Sequence, residues 1–177
     1  MRYNELTFQG RNAVLEAFRS GKTIDKLFIL DGCQDGPIKS IVREAKKTDA
    51  IINYVDKERL DRLAGTGHHQ GVVAIGAAYE YAEVDDILAS AKEKGEDPFI
   101  FILDEIEDPH NLGAIIRTAN LAGAHGVIIP KRRAVGLTAT VAKTSAGAIN
   151  YTPVAKVTNI SQTIEELKKQ GLWFVCA

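Results

Sequence analysis

Apolar residues divide the first 78 positions into alternating short strands and amphipathic helices. Runs at Lys26–Leu30, Ile51–Val55 and Gly71–Ile75 predict three strands. Apolar residues spaced three and four apart predict helices over 12–18 and 37–47, and another helix after Asp56, a favoured N-cap residue. The alternation of strands and helices indicates a small α/β module.

A more regular series of elements begins at residue 98. The predicted strands are 99–103, 126–130, 152–157 and 172–177, and the predicted helices are 111–122, 139–149 and 160–170. Phe99–Leu103 is apolar throughout, as expected of a strand whose two faces are both covered. Repeated βα units predict a parallel sheet.

Charge separates the two series. Residues 1–78 hold 12 Lys/Arg against 10 Asp/Glu, residues 79–97 hold 2 against 7, and residues 98–177 hold 8 against 6. We therefore expect two α/β domains, 1–78 and 98–177, joined by an acidic linker over 79–97 that contains a short helix and a polar hinge.

The overall composition excludes several classes of protein. A net charge of −1 argues against a protein that coats nucleic acid by bulk electrostatics, although each domain is mildly basic. No apolar run is long enough to predict a membrane span. Cys33 and Cys176 lack metal-type spacing, so we expect reduced thiols, no metal and a cytoplasmic protein. Residues 65–70 miss the dinucleotide-binding glycine pattern, and no P-loop is present.

Polar residues cluster where the strand at 99–103 leads into the next helix. The carboxyl edge of a parallel sheet is where such folds bind ligands. Asn111 is predicted as the helix N-cap, and Arg117 lies opposite the apolar stripe of the same helix. A simple cap and a solvated arginine remain alternatives for these two residues. His110 and the neighbouring acids are weaker candidates for catalysis.

Two further segments fall near this predicted edge. Lys131, Arg132 and Arg133 follow the strand at 126–130 and could contact phosphate, or could form a solvated basic turn. The small residues at 144–148 favour tight helix packing over contact with a ligand.

Residues 103–119 resemble the first signature motif of the SpoU (TrmH-type) RNA 2′-O-methyltransferases of the SPOUT superfamily. The similarity continues through 122–128 and 144–148. Residues 10–14 and 69–74 resemble the N-terminal substrate-binding domain of the longer members, a module related to ribosomal protein L30e. The nearest resemblance is to the enzymes that modify a guanosine of 23S rRNA.

The resemblance implies transfer of a methyl group from S-adenosylmethionine to a ribose 2′-hydroxyl, in a homodimer. Arg117 would act on the hydroxyl and Asn111 would shape the pocket. The residues expected to contact RNA are Arg11, Lys131, Arg132, Arg133 and Lys143.

Family members continue with two motifs that supply most of the methyl-donor pocket and thread a knot. We therefore expect an L30e-like α/β domain followed by a parallel SPOUT-type domain without its knot region. Such a fragment would be inactive, with only Cys176 and Ala177 bordering the donor pocket. Two other functions stay open, a non-catalytic RNA-binding module and a small-molecule α/β enzyme.

Overall fold

The computed structural model describes residues 6–48, 50–65 and 68–176. The chain divides into two compact units, residues 1–78 and residues 79–177. Both combine helices with a sheet.

Among its described residues, the first unit contains a four-stranded sheet and three helices. Its elements are β1 (Leu6–Gln9), α1 (Arg11–Arg19), β2 (Ile24–Leu30), α2 (Gly36–Lys47), β3 (Ile51–Val55), α3 (Lys57–Ala64) and β4 (Val72–Gly76). The strand order is β1-β4-β2-β3, in which only β2 and β3 pair in parallel. The strands and helices predicted from the sequence are present, whereas the edge strand β1 was not predicted.

Alternation along β2 builds two cores in this unit. Leu27 and Ile29 pack with α1 and α2, while Phe28 packs on the other face with Leu60 of α3. Asp56 caps α3 as predicted, because its carboxylate accepts a hydrogen bond of 2.7 Å from the backbone N–H of Arg59.

The second unit contains a three-stranded parallel sheet. Its elements are α4 (Val84–Lys94), β5 (Ile100–Ile102), α5 (Pro109–Leu121), β6 (Gly126–Pro130), α6 (Ala139–Thr144), a 3₁₀ turn (Ala148–Asn150), β7 (Val154–Val157) and α7 (Ile160–Lys169). The strand order is β5-β6-β7. The prediction of an α/β fold with a parallel sheet is confirmed.

Helices cover both faces of this sheet. Val127 and Ile129 of β6 pack on α5 and α6, and Ile128 packs on α4 and α7. All five residues of β6 are buried, which explains why the strand is apolar at every position.

The acidic segment does not stand apart from the second unit, contrary to the predicted linker over 79–97. Helix α4 packs its fully buried Ile87 beside Ile128 and Leu167. Gly126 makes this close packing possible, since a Cβ there would overlap the Ile87 side chain. The acidic residues lie on the exposed side of a helix whose apolar side belongs to the core.

Two other predictions in this unit were wrong. The helix predicted over 139–149 ends at Thr144, because Ala146 and Gly147 take left-handed backbone angles (φ 51° and 89°) before the 3₁₀ turn. The strand predicted over 172–177 is absent from its described part, residues 172–176, which form no regular structure.

Candidate functional site

Loops from adjacent parallel strands meet at the carboxyl edge of the second sheet. Residues 103–108 follow β5 and residues 131–138 follow β6. The backbone N–H of Val135 donates to the carbonyl of Ile106 at 2.9 Å, which joins the two loops. This edge is where a parallel sheet presents side chains to a ligand.

Helix α5 begins at this edge, and its cap differs from the prediction. Asp108, rather than Asn111, is the N-cap, and its carboxylate accepts from the backbone N–H of His110 at 2.7 Å. Pro109 occupies the first helical position, where the missing N–H costs nothing. Asn111 is therefore inside the first turn, exposed, with no hydrogen-bond partner for its side chain among the described residues.

Arg117 lies on the same helix, away from the buried stripe formed by Leu112, Ile116 and Ala119. Its side chain is exposed and forms no ion pair within the described part of the chain. Six residues separate Arg117 from Asn111, which is about 9 Å along and about 120° around an ideal helix. The described residues show no contact between the two side chains.

Gly113 fixes the distance between α5 and α6. A Cβ at Gly113 would overlap Thr144 Oγ1 and would lie 3.0 Å from the backbone nitrogen of Ser145. Thr144 Oγ1 donates to the carbonyl of Thr140 at 2.8 Å, and the buried Ser145 hydroxyl donates to Ala142 at 2.9 Å. The small residues of 144–148 thus serve helix packing, as the sequence favoured.

An ion pair links the loops after β5 and β6. Arg133 Nη1 lies 2.8 Å from Glu105 Oε1, and both side chains are mostly exposed. Both residues have left-handed backbones, with φ of 57° at Glu105 and 56° at Arg133. Non-glycine residues rarely hold such angles, and strain of this kind tends to occur at functional sites.

The other predicted RNA-contacting cations of this unit lie in the same loop and on α6. Arg132 and Lys143 are exposed, and Lys131, the first residue of the loop, is half-buried. The backbone N–H of Lys131 donates to Val157 at 2.8 Å, so the start of the loop is anchored to β7. The basic loop is therefore held in place, with Arg133 already paired to an acid.

Tyr81 supports the same loop and was not found by sequence reasoning. Its hydroxyl accepts from the backbone N–H of Leu137 at 2.9 Å and from Lys156 Nζ at 3.3 Å. The Lys156 ammonium also lies 4.5 Å from the centre of the Tyr81 ring, a cation–π contact. No local sequence pattern marks a residue whose partners lie 56 and 75 positions away.

Arg11, the remaining predicted RNA contact, belongs to the first unit, and its guanidinium already forms contacts within that unit. Its Nε donates to the carbonyl of Gln70 at 3.1 Å, and its Nη2 pairs with Asp35 at 2.6 Å. The side chain is about one-third exposed. Arg11 therefore holds neighbouring segments together as well as presenting charge.

Of the two residues predicted to border the methyl donor, the structure describes one. Cys176 is exposed and belongs to no strand, and Ala177 lies outside the described residues. Trp173 and Val175 nearby are almost fully solvent-accessible. The assignment of Cys176 and Ala177 to the donor pocket therefore stays a prediction.

Residues 6–48, 50–65 and 68–176 contain no group of three or more His, Cys, Asp or Glu placed to hold a metal ion. No helix within these ranges combines the length and apolar character needed to span a membrane.

Comparison with known proteins finds two family models that match successive parts of the chain. Residues 9–82 match the substrate-binding domain of RNA 2′-O ribose methyltransferases, and residues 98–177 match the SpoU rRNA methylase family. YacO of Bacillus subtilis, named as a possible TrmH family tRNA/rRNA methyltransferase, is 54% identical over 94% of the chain. A Staphylococcus haemolyticus protein of similar name is 50% identical over 96%. The chain spans 66% and 68% of these relatives' lengths.

Comparison with solved structures also returns methyltransferases. An AdoMet-bound rRNA methyltransferase from Sinorhizobium meliloti is 22% identical, with a TM-score of 0.43 over 93% of this chain and 58% of its own. The SpoU methyltransferase AviRb from Streptomyces viridochromogenes, in complex with AdoMet, is 19% identical, with a TM-score of 0.45 over 94% and 59%.

Proposed function

Because the chain belongs to the SpoU (TrmH-type) family of RNA methyltransferases, we propose that it serves in methyl transfer from S-adenosylmethionine to a ribose 2′-hydroxyl of RNA. The first unit would bind the RNA substrate and the second would carry the reacting edge.

One observation supports this proposal more than any other, namely the position of Arg117. The residue is exposed and unpaired among the described residues, on a helix whose opposite side is fully buried. Nothing in the packing of α5 requires a guanidinium there, whereas a substrate bound along this helix would meet it.

Arginine remains protonated in proteins, so a general-base role would require unusual surroundings. The simpler role is electrostatic, in which the Arg117 guanidinium stabilises negative charge as the 2′-hydroxyl loses its proton. Its planar donors also suit an adjacent phosphate. Asn111 lies one to two turns nearer the sheet edge and would orient the substrate through its free amide.

S-adenosylmethionine, when bound, supplies the methyl group, and we assign none of the described residues to hold it. A ribose 2′-hydroxyl distinguishes RNA from DNA, and the loop cations Lys131, Arg132 and Arg133, with Lys143, would contact phosphates beside the reacting ribose.

We further propose that the acceptor is a guanosine of 23S rRNA. The test is methyl transfer by the product of the complete reading frame that contains this chain, using 23S rRNA and tRNA transcripts as competing acceptors. Incorporation that disappears when the target ribose is a 2′-O-methylated or 2′-deoxy nucleotide would support ribose methylation. Incorporation into tRNA alone would contradict the 23S assignment.

Variants of Arg117 test the catalytic assignment. Arg117→Ala should abolish transfer while leaving RNA affinity within about threefold, since loss of a transition-state interaction lowers turnover more than binding. Arg62→Ala, an exposed arginine on α3, is the matched control and should retain transfer. RNA binding with no transfer by the wild-type protein would instead favour the non-catalytic RNA-binding module.

A second copy of the chain is the proposed partner. Leu121 at the end of α5 is 81% exposed, and Tyr151 after the 3₁₀ turn is 79% exposed. Large apolar side chains at this exposure suit a surface that is covered on association. Sedimentation should show a dimer that Leu121→Lys weakens. A monomer at all concentrations would contradict the proposal.

A further inference from the structure

An open cleft of about 620 Å³ lies within the first unit. It lies where α1 and α2 begin, beside the end of β2 and the start of β4. This volume falls within the range of about 300–1,000 Å³ that is typical of small-ligand sites.

Arg11 fixes the mouth of the cleft by joining three segments. Its backbone N–H donates to Gln70 Oε1 and its Nε donates to the Gln70 carbonyl, each at 3.1 Å. Its Nη2 pairs with Asp35, whose other carboxylate oxygen caps α2 through the Ile38 N–H at 3.1 Å. The start of α1, the turn before β4 and the start of α2 therefore form one rigid rim.

Backbone geometry keeps the interior of the cleft open. Gln70 and Gly71 have φ of 50° and 81°. A Cβ at Gly71 would lie 3.2 Å from Cys33 Sγ, so a side chain here would crowd the cleft as well as strain the turn.

The lining combines an apolar wall with polar amide groups. Leu30, Pro37 and the half-buried Cys33 form the apolar part. Asn12 has no hydrogen-bond partner for its side chain among the described residues, and the amide nitrogen of Gln70 has none there either. Part of the Arg11 guanidinium also remains available, because only Nε and Nη2 are engaged.

This combination fits a nucleobase better than an isolated anion. A base needs a flat apolar contact for its ring and paired donors and acceptors for its edge, which Asn and Gln amides supply. Proteins that recognise RNA by sequence bind unpaired nucleotides in this way. A phosphate alone would leave the apolar wall without a function.

We propose that this cleft receives one unpaired nucleotide of the RNA substrate, with its base against Leu30 and Pro37 and its edge facing the amides of Asn12 and Gln70. The proposal rests on the proposed function, in which the first unit binds RNA. It adds a point of selection that is separate from the reacting edge.

The test uses Cys33 as a reporter inside the cleft. The rate at which iodoacetamide alkylates Cys33 is measured in a Cys176→Ser background. One hairpin RNA is fully paired, and four others each carry a single bulged nucleotide, one for each of the four bases. RNA affinity is measured in parallel by fluorescence anisotropy at fixed salt. At least one bulged hairpin should bind about tenfold tighter than the paired hairpin and should slow alkylation of Cys33 in proportion to occupancy.

Asn12→Ala should remove most of this preference without unfolding α1, because Asn12 is exposed and alanine favours helix. Gln170→Ala, an exposed amide in the second unit, is the matched control and should leave the preference unchanged. Equal affinity for all hairpins, or equal protection of Cys33 by paired and bulged RNA, would overturn the nucleotide-binding role of the cleft and leave the proposed function intact. Failure of the chain to bind any RNA at low salt would overturn the proposed function of the first unit, and this inference with it.

Discussion

Replacing Gly113 with alanine tests whether α5 is held at a fixed distance from α6. The new Cβ would overlap Thr144 Oγ1, lie 2.8 Å from Thr144 Cβ and lie 3.0 Å from the Ser145 backbone nitrogen. Rotating Thr144 could move its hydroxyl away but would break its bond to the Thr140 carbonyl. The Ser145 nitrogen cannot move alone, because its N–H donates to Val141 at 2.9 Å.

The expected cost follows from three contributions. Overpacking a tight contact costs about 1–3 kcal/mol, and a lost hydroxyl hydrogen bond costs about 0.5–1.5 kcal/mol. Against these, alanine is favoured over glycine inside a helix by about 1 kcal/mol. Gly113→Ala should therefore lower the free energy of unfolding of the second unit by about 0.5–3.5 kcal/mol.

Hydrogen exchange measured by mass spectrometry suits this prediction, because it reports α5 and α6 separately from the first unit. Peptides from both helices should exchange faster in Gly113→Ala. The matched control is Gly36→Ala, at the start of α2, where a Cβ would meet no atom within 4 Å. If Gly113→Ala slowed exchange as much as the control does, the close approach would not limit the packing, and the reasoning would be refuted.

Three other predictions follow from the contacts around the same unit. Asp108→Ala should lower the stability of α5 by about 1 kcal/mol through loss of its cap, whereas Asp108→Asn should retain most of it, as urea denaturation would show. Tyr81→Phe should cost about 1–3 kcal/mol by leaving the Leu137 N–H without its acceptor, and Lys156→Met, measured in the same way, should cost less. The pKa of Glu165 is lowered by the hydrogen bond and charge of Lys168, so Lys168→Met should raise it in an NMR titration.

The contrary outcomes are equally specific. Equal stability of Asp108→Ala and wild type would mean that Pro109 alone starts α5. A larger loss from Lys156→Met than from Tyr81→Phe would assign the loop support to the ammonium. Because the folded-state pKa of Glu165 is lowered, its pair with Lys168 is present above the ordinary pKa of glutamate and is lost as pH falls through the lowered value. A Glu165 pKa unmoved by Lys168→Met would contradict the contact.

Elements with a strong apolar period were predictable from the sequence, and those governed by tertiary contacts were not. Strand β6 is buried at every position and α2 has regular apolar spacing, so both were found. The acidic segment was misassigned because its charges outweighed the apolar positions Ile87 and Ala91, which are four residues apart and fully buried. The helical spacing of these two apolar residues was visible in the sequence.

The start of α5 shows how two local signals can compete. Asn111 and Asp108 are both favoured cap residues, and Pro109 decides between them, because proline favours the first helical position. The break after Thr144 had a weaker signal, since a single glycine in a helical pattern is often tolerated.

The candidate site was predictable in its residue types and only partly in its geometry. The exposure of Arg117 followed from its place opposite the apolar stripe. The pairing of Glu105 with Arg133 and the support of the loop by Tyr81 depend on contacts across many residues. No spacing rule within one element could have revealed them.

The left-handed residues Glu105 and Arg133 have a consequence for efforts to make this protein more robust. Glycine at either position would remove a backbone penalty of roughly 1–2 kcal/mol, while the exposed ion pair contributes about 0–1 kcal/mol. A screen that rewards heat resistance would therefore favour Glu105→Gly and Arg133→Gly. The same substitutions would erase charged groups from the edge proposed to meet RNA, so selection for durability and selection for activity should pull these two positions in opposite directions.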